Sequence, residues 1–303
     1  MTKGIAGTAP VLPTPFDDTG HIDEDGFRNI VNFAIQQGVD CLVFPGLASE
    51  YDQLSLDERR HLIALLGSLT KGKVDFVVGA SGHTPGETPV LIEAGAKAGA
   101  AAAMIVTPSV YAGDIDGLAA FYRDAGEGAD LPLMLQNAPK PMGIALSPAE
   151  VLEVVRRVSA IHYVKEENMP CGQRITTLCK GAPANLAGVF GGAGGRYIVD
   201  ELNRGAIGTM PAIELVEGHV KLMKAHGAGD RQLVWELYER MLPILAMQAV
   251  FRWRLTKEVM RRRGLIKSAF TRAPGAELDA QDQVELGLML ARLKDLVGPL
   301  SVQ

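Results

Sequence analysis

A short apolar run, a polar loop and an amphipathic helical stretch recur eight times in order along this 303-residue chain. The apolar runs are residues 8–12, 39–45, 74–80, 101–107, 132–137, 161–166, 186–190 and 207–211. They are apolar nearly throughout instead of alternating with polar residues, which is typical of parallel strands covered on both faces. Eight such alternations predict an α/β fold, the closed (β/α)8 or TIM barrel.

The pattern changes after the eighth run. Three helical stretches follow without another strand, at residues 214–226, 231–263 and 280–296. We expect the second of them to be interrupted at Pro243, because proline inside a helix removes a hydrogen bond. We therefore predict a barrel over residues 1–227 and a C-terminal helical region over residues 228–303 that packs on it, since no linker-like segment separates the two.

Composition and charge exclude several classes of function. The formal net charge is −5, and basic residues cluster only at 252–263 within a helical stretch, so neither a nucleic-acid nor a membrane partner is predicted. The three cysteines show no C-x-x-C spacing and the histidines show no metal-ligand spacing, so we predict no disulfide and no metal. Residues 1–7 lack the layout of a signal peptide, and the apolar run at 241–251 is too short to span a bilayer, so we expect a cytoplasmic protein.

In a barrel of this kind the chemistry belongs at the carboxyl ends of the strands. Lys165 ends the sixth apolar run, where an ammonium is costly to bury unless it is paired or its pKa falls. A desolvated amine at the mouth of a barrel is what Schiff-base chemistry on a carbonyl compound requires. The alternative is that Lys165 points outward or forms a structural ion pair with Glu166 or Glu167.

Two further residues are candidates for proton transfer or orientation. Glu167 would share the face of Lys165 if the strand lasted that far, and partial desolvation would raise its pKa towards that of a general base. A salt bridge or a helix-capping role is the alternative for Glu167. Gln136, at the end of the fifth run, would orient an imine or a leaving hydroxyl, or else satisfy backbone groups.

The loops at the same rim supply candidates for substrate binding. Ser49 would bind a substrate carboxylate, or serve as a turn residue; His83 would protonate a leaving hydroxyl, or face solvent. Tyr111 would reach its own site or cross an oligomer interface, or pack its loop. The glycine run at 191–195 is neither a P-loop nor a dinucleotide fingerprint, and it indicates close backbone approach to a substrate or a tight turn. The predicted substrate-binding set is Ala48, Ser49, His83, Tyr111, Gly192 and Ile207.

Several short motifs occur in a characteristic order along the chain. They are P-V-L-P-T-P-F at 10–16, Gly46 with Glu50, L-S-L-D-E-R at 54–59, T-P at 107–108, N-A-P at 137–139 and V-K-E at 164–166. Together they resemble the dihydrodipicolinate synthase and N-acetylneuraminate lyase superfamily of Schiff-base-forming class I lyases, over essentially the whole chain. The resemblance implies that Lys165 is the Schiff-base lysine, that no metal or other cofactor is needed, and that the protein is a homotetramer or dimer.

Three departures from the family pattern bear on the substrate. The usual G-T/S-T-G-E motif reads G-L-A-S-E at 46–50, the usual tyrosine after strand five is Gln136, and an arginine of the synthases is replaced by Pro141. Without these groups the synthase reaction loses its proton shuttle and an anion contact, so lysine biosynthesis is disfavoured. The remaining pattern most resembles the 2-keto-3-deoxy sugar-acid dehydratases, such as the 2-keto-3-deoxy-arabonate dehydratase.

The resemblance and the residues together predict a lyase whose small-molecule partner is a 2-keto acid. The favoured reaction is loss of water from a 2-keto-3-deoxy sugar acid bound to Lys165. Two alternatives stay open: an aldolase or synthase of the same superfamily, and a paralogue that binds a keto acid without catalysis.

Overall fold

A computed structural model describes residues 4–128 and 130–298 of the chain. The first three residues, which belong to the segment judged for a signal peptide, and the last five of the predicted C-terminal region lie outside these ranges. The strands are β1 (Gly7–Thr8), β2 (Cys41–Phe44), β3 (Asp75–Gly79), β4 (Ala102–Val106), β5 (Leu133–Asn137), β6 (Ile161–Glu166), β7 (Gly188–Gly191) and β8 (Gly208–Thr209).

Helices follow the strands in alternation, and further helices end the chain. In the barrel they are α1 (Glu24–Gln36), α2 (Leu56–Thr70), α3 (Thr88–Ala98), α4 (Ile115–Gly126), α5 (Pro148–Arg157), α6 (Cys171–Lys180), α7 (Ile198–Asn203) and α8 (Val216–Gly227). The C-terminal region contains α9 (Arg231–Phe251), α10 (Trp253–Arg262), α11 (Ala280–Arg292) and α12 (Lys294–Val297). The predicted boundary between the two regions therefore falls between α8 and α9.

The eight strands are parallel and form one sheet in the order β1-β8-β7-β6-β5-β4-β3-β2. The first and last strands of this order meet through backbone hydrogen bonds from Asp40 N to Thr8 O and from Val43 N to Pro10 O, both 3.0 Å long. These bonds close the sheet on itself. The predicted (β/α)8 barrel is confirmed.

Side chains alternate between two apolar layers, one inside the barrel and one between the strands and the helices. In β5, Leu133 and Leu135 pack outward, whereas Met134 belongs to the inner layer. In β6, Val164 packs outward and Tyr163 inward. Gln136 and Lys165 follow the inward-facing Met134 and Tyr163 by two positions, and they therefore point into the barrel at its carboxyl end.

The C-terminal region packs on the barrel through a buried ion pair as well as apolar contacts. The Lys257 amine of α10 contacts the Glu50 carboxylate, which follows β2, and both residues are 0% exposed. The same amine donates to the Phe270 carbonyl at 2.9 Å and lies 4.1 Å from the ring centre of Phe16. Glu50 also accepts a hydrogen bond from the Ala273 amide at 2.7 Å. The loop after β2 is thus tied to the C-terminal region.

The predicted interruption at Pro243 is wrong. Helix α9 continues through Pro243, and the break lies at Arg252, whose backbone has φ 51° and ψ −125°. Proline removes only the hydrogen bond to the carbonyl four residues earlier, and here that residue is the exposed Glu239, whose carbonyl water can satisfy. Among the described residues, no helix combines the length and apolar character that crossing a membrane requires.

A substitution at Gly79 of β3 tests its close contact with Pro45, the residue after β2. A Cβ at this position would overlap the carbonyl oxygen of Pro45. We expect Gly79→Ala to lower the free energy of unfolding by roughly 2–3 kcal/mol, because the neighbouring backbone cannot move away without breaking the strand pairing. Chemical denaturation measures this change. The control is Gly227→Ala at the end of α8, where a Cβ meets nothing within 4 Å; equal stability of the two variants would contradict the contact.

Candidate active site

A cavity of about 260 Å³ opens at the carboxyl ends of the strands, where the barrel predicts the chemistry. Lys165, Glu167 and Ala48 line it on the barrel side, and Gln248 and Trp253 line it from the C-terminal region. Both the barrel and the C-terminal helices therefore contribute to one site.

Lys165 points into this cavity from the end of β6. It follows the inward-facing Tyr163 by two residues, and it is 3% exposed. Its Nζ atom lies 3.2 Å from Oε1 of Glu167. The predicted inward orientation is confirmed, together with one of the alternatives, an ion pair with Glu167.

Glu167 shares the face of Lys165 although β6 ends one residue earlier. Its amide donates to the Asn137 carbonyl at 3.2 Å, which continues the extended pairing with β5. The carboxylate accepts hydrogen bonds from Nε2 of Gln136 at 2.6 Å and from the Ala193 amide at 3.3 Å. The structure thus brings together the three side chains predicted to be catalytic.

The expected rise in the pKa of Glu167 is wrong. Burial alone would raise this pKa, but the charge of Lys165 and the hydrogen bonds from Gln136 and the Ala193 amide outweigh burial, so the pKa is lowered. Glu167 is therefore held as a carboxylate beside the lysine.

Gly192 makes room for this carboxylate. A Cβ at Gly192 would lie 2.7 Å from Cγ and 2.8 Å from Oε1 of Glu167. The glycine run after β7 therefore permits close backbone approach to the Glu167 side chain. The sequence predicted either approach to a substrate or a tight turn, and the short helical turn at Ala193–Gly195, with Gly194 at φ 68°, agrees with the second alternative.

Glu166 points away from the cavity and holds the adjacent loops. Its carboxylate accepts from Nδ2 of Asn137 at 2.9 Å and from the Asn168 amide at 2.8 Å, and it lies 3.2 Å from Nε of Arg174. The alternative pairing of Lys165 with Glu166 is therefore wrong.

Ser49 and its neighbour Ala48 occupy different positions. Ala48 lines the cavity, as predicted. Ser49 is 0% exposed, and its hydroxyl donates to the Leu12 carbonyl and accepts from the Gly46 amide at 2.9 Å. Because these backbone groups occupy the hydroxyl, the structure places Ser49 as a residue that fixes the loop, outside the cavity lining.

His83 and Tyr111 do not line the cavity that contains Lys165. His83 borders an adjacent cavity of about 490 Å³, where its Nε2 lies 2.6 Å from Nη2 of Arg59. Tyr111 packs on Phe121 with a distance of 5.4 Å between ring centres, and it lines neither cavity. The loops after β3 and β4 therefore direct these two side chains away from the Lys165 cavity.

Ile207 does not line the cavity. Strand β8 contains only Gly208 and Thr209, so Ile207 precedes it, and its side chain packs where a Cβ on Gly188 would lie. The residue after β8 that lines the cavity is Met210. The predicted role of Ile207 failed because the apolar run is longer than the strand.

Two arginines that the sequence did not single out also line the cavity. Arg196 follows the glycine run after β7, and its Nη1 donates to Oε1 of Gln248 at 2.9 Å. Arg252 lies at the break between α9 and α10, with its guanidinium carbon 5.6 Å from the ring centre of Trp253. Arg196 could have been identified from the sequence, because it directly follows the glycine run at the predicted rim of the barrel. Within the described ranges, no group of three or more His, Cys, Asp or Glu side chains is arranged to hold a metal ion.

Comparison with known proteins agrees with this geometry. The model of the dihydrodipicolinate synthetase family matches residues 4–293. The chain belongs to this family. The members compared below are named as synthases or as a dehydratase, both lyases, and the chain is accordingly a member of a lyase family.

Individual relatives match along nearly their full length. A 4-hydroxy-tetrahydrodipicolinate synthase of Methanothrix thermoacetophila is 27% identical over 297 residues, which cover 97% of this chain and 99% of that protein. An L-2-keto-3-deoxyarabonate dehydratase of Azospirillum brasilense is 26% identical over 295 residues, covering 96% and 95%. The crystal structure of the dihydrodipicolinate synthase of Rhodopseudomonas palustris superposes with a TM-score of 0.88 at 27% identity, covering 95% of this chain and 98% of that one.

A second carboxyl group lies behind the glycine run. Glu201 of α7 is 1% exposed, and a Cβ on Gly191 would overlap its carboxylate. Burial raises the pKa of Glu201 to about 7, and the nearby charge of Glu167 acts in the same direction. The folded protein therefore binds a proton at Glu201 more tightly than the unfolded chain does.

This shift predicts a pH dependence of stability. The pKa of Glu201 rises from 4.5 to about 7 on folding, so its contribution is complete below pH 4.5 and is lost as the pH rises through about 7. Glu201→Gln should remove this dependence. The free energy of unfolding of the unmodified protein, minus that of the variant, should fall over this range by at most about 1.4 kcal/mol per pH unit. Denaturant unfolding at several pH values measures it.

The control for this prediction is Glu239→Gln, which changes an exposed carboxylate of α9. It should leave the pH dependence of the unfolding free energy as it is in the unmodified protein. A difference between the unmodified protein and Glu201→Gln that stays constant with pH would refute the protonated state of Glu201.

Proposed function

We propose that this protein is a Schiff-base lyase that removes water from a 2-keto-3-deoxy sugar acid, with Lys165 as the nucleophile. The observation that carries the proposal is the contact between Lys165 and Glu167, 3.2 Å apart and both lining one cavity. Gln136 binds the second oxygen of the same carboxylate. A lysine with an adjacent base and a group that orients the base is the arrangement that nucleophilic catalysis on a carbonyl requires.

The reaction begins with attack of the Lys165 amine on the C2 ketone of the substrate. Glu167 lies close enough to Nζ to accept a proton from it, which leaves the free amine for the attack. The protonated Glu167 then returns this proton to the carbinolamine hydroxyl, which leaves as water, so that an iminium and the Glu167 carboxylate form together. The iminium acidifies the protons on C3. Because the iminium withdraws electrons, the mechanism requires neither a metal nor another cofactor.

Elimination then proceeds from the iminium. Glu167 removes a proton from C3, the electron pair forms a double bond between C3 and C4, and the C4 hydroxyl leaves as water after protonation. Hydrolysis of the imine releases the dehydrated keto acid and restores the Lys165 amine. Gln136 keeps the Glu167 carboxylate oriented by its 2.6 Å hydrogen bond during both proton transfers.

The residues at two family positions support dehydration over the synthase reaction. Gln136 stands where the resemblance leads one to expect a tyrosine, and Pro141 stands where the synthases carry an arginine. The Azospirillum relative that matches nearly the whole chain is named as a dehydratase. Several other relatives are named as synthases, so condensation of pyruvate with an aldehyde is the second candidate; it uses the same iminium but forms a bond at C3.

The first test is chemical trapping of the imine. Reduction with borohydride in the presence of pyruvate should attach the keto acid irreversibly to Lys165, and peptide mass mapping locates the adduct. Lys165→Arg should show no adduct, because the guanidinium does not form the imine. A panel of 2-keto-3-deoxy acids, assayed for water loss and for pyruvate release, then separates dehydratase from aldolase. Absence of an adduct at Lys165 would overturn the proposal.

The second test separates the roles of Lys165 and Glu167. Glu167→Gln removes the base but keeps the shape and a hydrogen-bonding side chain, so kcat for dehydration should fall by about 10²–10⁴-fold. Borohydride should still trap pyruvate on Lys165 of this variant to the same final extent. If dehydration survives in Glu167→Gln, the base is another group. Glu239→Gln serves as the surface control.

A further inference from the structure

The charged side chains that line the Lys165 cavity do not balance. They are Lys165, Arg196 and Arg252, which are cationic, and Glu167, which is anionic. Their formal charges sum to +3 − 1, or +2. In the described part of the chain, neither arginine lies within 4.0 Å of a carboxylate. Arg196 is half-buried, where cations are normally paired, and the Glu214 carboxyl acts on it only from beyond 4.0 Å, whereas Arg252 is exposed. The cavity lining therefore carries an excess of positive charge that an anionic ligand can balance.

Neutral contacts hold both guanidinium groups at the cavity. Arg196 uses only Nη1, which donates to Oε1 of Gln248 at 2.9 Å and to the Leu245 carbonyl at 3.5 Å. Arg252 uses Nη1, which contacts Sδ of Met142 at 3.5 Å. A guanidinium carries five N–H donors, so most of the donors on each side chain remain for a ligand.

The backbone at Arg252 is strained in a way that favours a role at the cavity. Its φ of 51° with ψ of −125° is a conformation that residues other than glycine rarely adopt. Such a conformation is energetically unfavourable and recurs at ligand-binding sites. Here the strained residue lies between the end of α9 at Phe251 and the start of α10, and its side chain lines both the Lys165 cavity and the adjacent cavity of about 490 Å³.

The charge count defines the ligand. The proposed imine keeps one positive charge at Lys165, which Glu167 balances, so two positive charges remain for the substrate. Two carboxylates on the substrate, one adjacent to the keto group and one at the far end, would bring the total charge of cavity and ligand to zero. Arginine binds carboxylates through paired hydrogen bonds, so the far carboxylate is the one that the two arginines would hold. A terminal phosphate would bring two negative charges and exceed the balance.

We infer that Arg196 and Arg252 bind a second carboxylate, so that the substrate is a 2-keto-3-deoxy sugar diacid instead of a monoacid. The inference rests on the proposed function for the keto group and the site of water loss. It adds a specificity element contributed by the loop after β7 and by the junction of α9 and α10.

The test measures binding by calorimetry with two 2-keto acids of equal length that cannot lose water. 2-Oxoglutarate carries the second carboxylate, and 2-oxopentanoate carries a methyl group in its place. We expect the unmodified protein to bind 2-oxoglutarate at least about tenfold more tightly. The double variant Arg196→Gln with Arg252→Gln should reduce this ratio to less than about threefold. Each single variant should give an intermediate ratio.

The control is Arg123→Gln, an exposed arginine of α4 on the outer face of the barrel, which should keep the tenfold ratio. Equal affinity of the unmodified protein for both acids, or a ratio that the double variant leaves unchanged, would overturn the inference. Tighter binding of a 2-keto acid of the same length with a terminal phosphate would overturn the assignment to a carboxylate. Failure of the proposed function is separate, because it shows as absence of the borohydride adduct on Lys165 or of water loss, whereas the affinity ratio is measured without either reaction.

Discussion

A lysine and a glutamate, 3.2 Å apart inside the mouth of an apolar barrel, determine the arrangement of the rest of the site. A buried ion pair adds little net stability, because desolvation of both charges offsets their attraction. The carboxylate of Glu167 is satisfied by Gln136 and by the Ala193 amide, and the absence of a side chain at Gly192 lets the backbone come close to it. Three neighbouring strand ends thus support one carboxylate. That support is consistent with a pair retained for its reactivity, since Lys165 also faces a cavity that a ligand can enter.

Another buried ion pair, between Glu50 and Lys257, has different surroundings and a different consequence. Glu50 and Lys257 are both 0% exposed, and burial lowers the pKa of Lys257 to about 8 even though Glu50 opposes the shift. This pair ties the loop after β2 to α10. Since that loop carries Ala48 and α10 carries Trp253, the contact joins two segments that line the same cavity. The C-terminal region is therefore a structural part of the site.

The parts of the structure that follow from local periodicity could be predicted from the sequence. The eight strands follow from eight apolar runs, and the shared face of Lys165 and Glu167 follows from the alternation of side chains in a strand. Contacts between distant segments could not be predicted in this way. The Ser49 hydroxyl is occupied by the Leu12 carbonyl, 37 residues away, and Arg252 reaches the cavity only because α9 packs over the barrel and ends there. Neither contact produces a recognisable pattern among residues that are close together in the sequence.

In the proposed reaction, the geometry of the pair would allow one carboxylate to serve two steps. When an imine forms on Lys165, C2 of the substrate bonds to Nζ, and C3 lies one bond further on. A carboxylate already within 3.2 Å of Nζ is therefore near the protons of C3 without any rearrangement of the chain. In the proposed iminium the positive charge stays beside Glu167, which is again a carboxylate once the carbinolamine has lost water and can then accept the C3 proton. Fixing Glu167 by Gln136 and the Ala193 amide thus prepares both the release of the amine and the abstraction at C3.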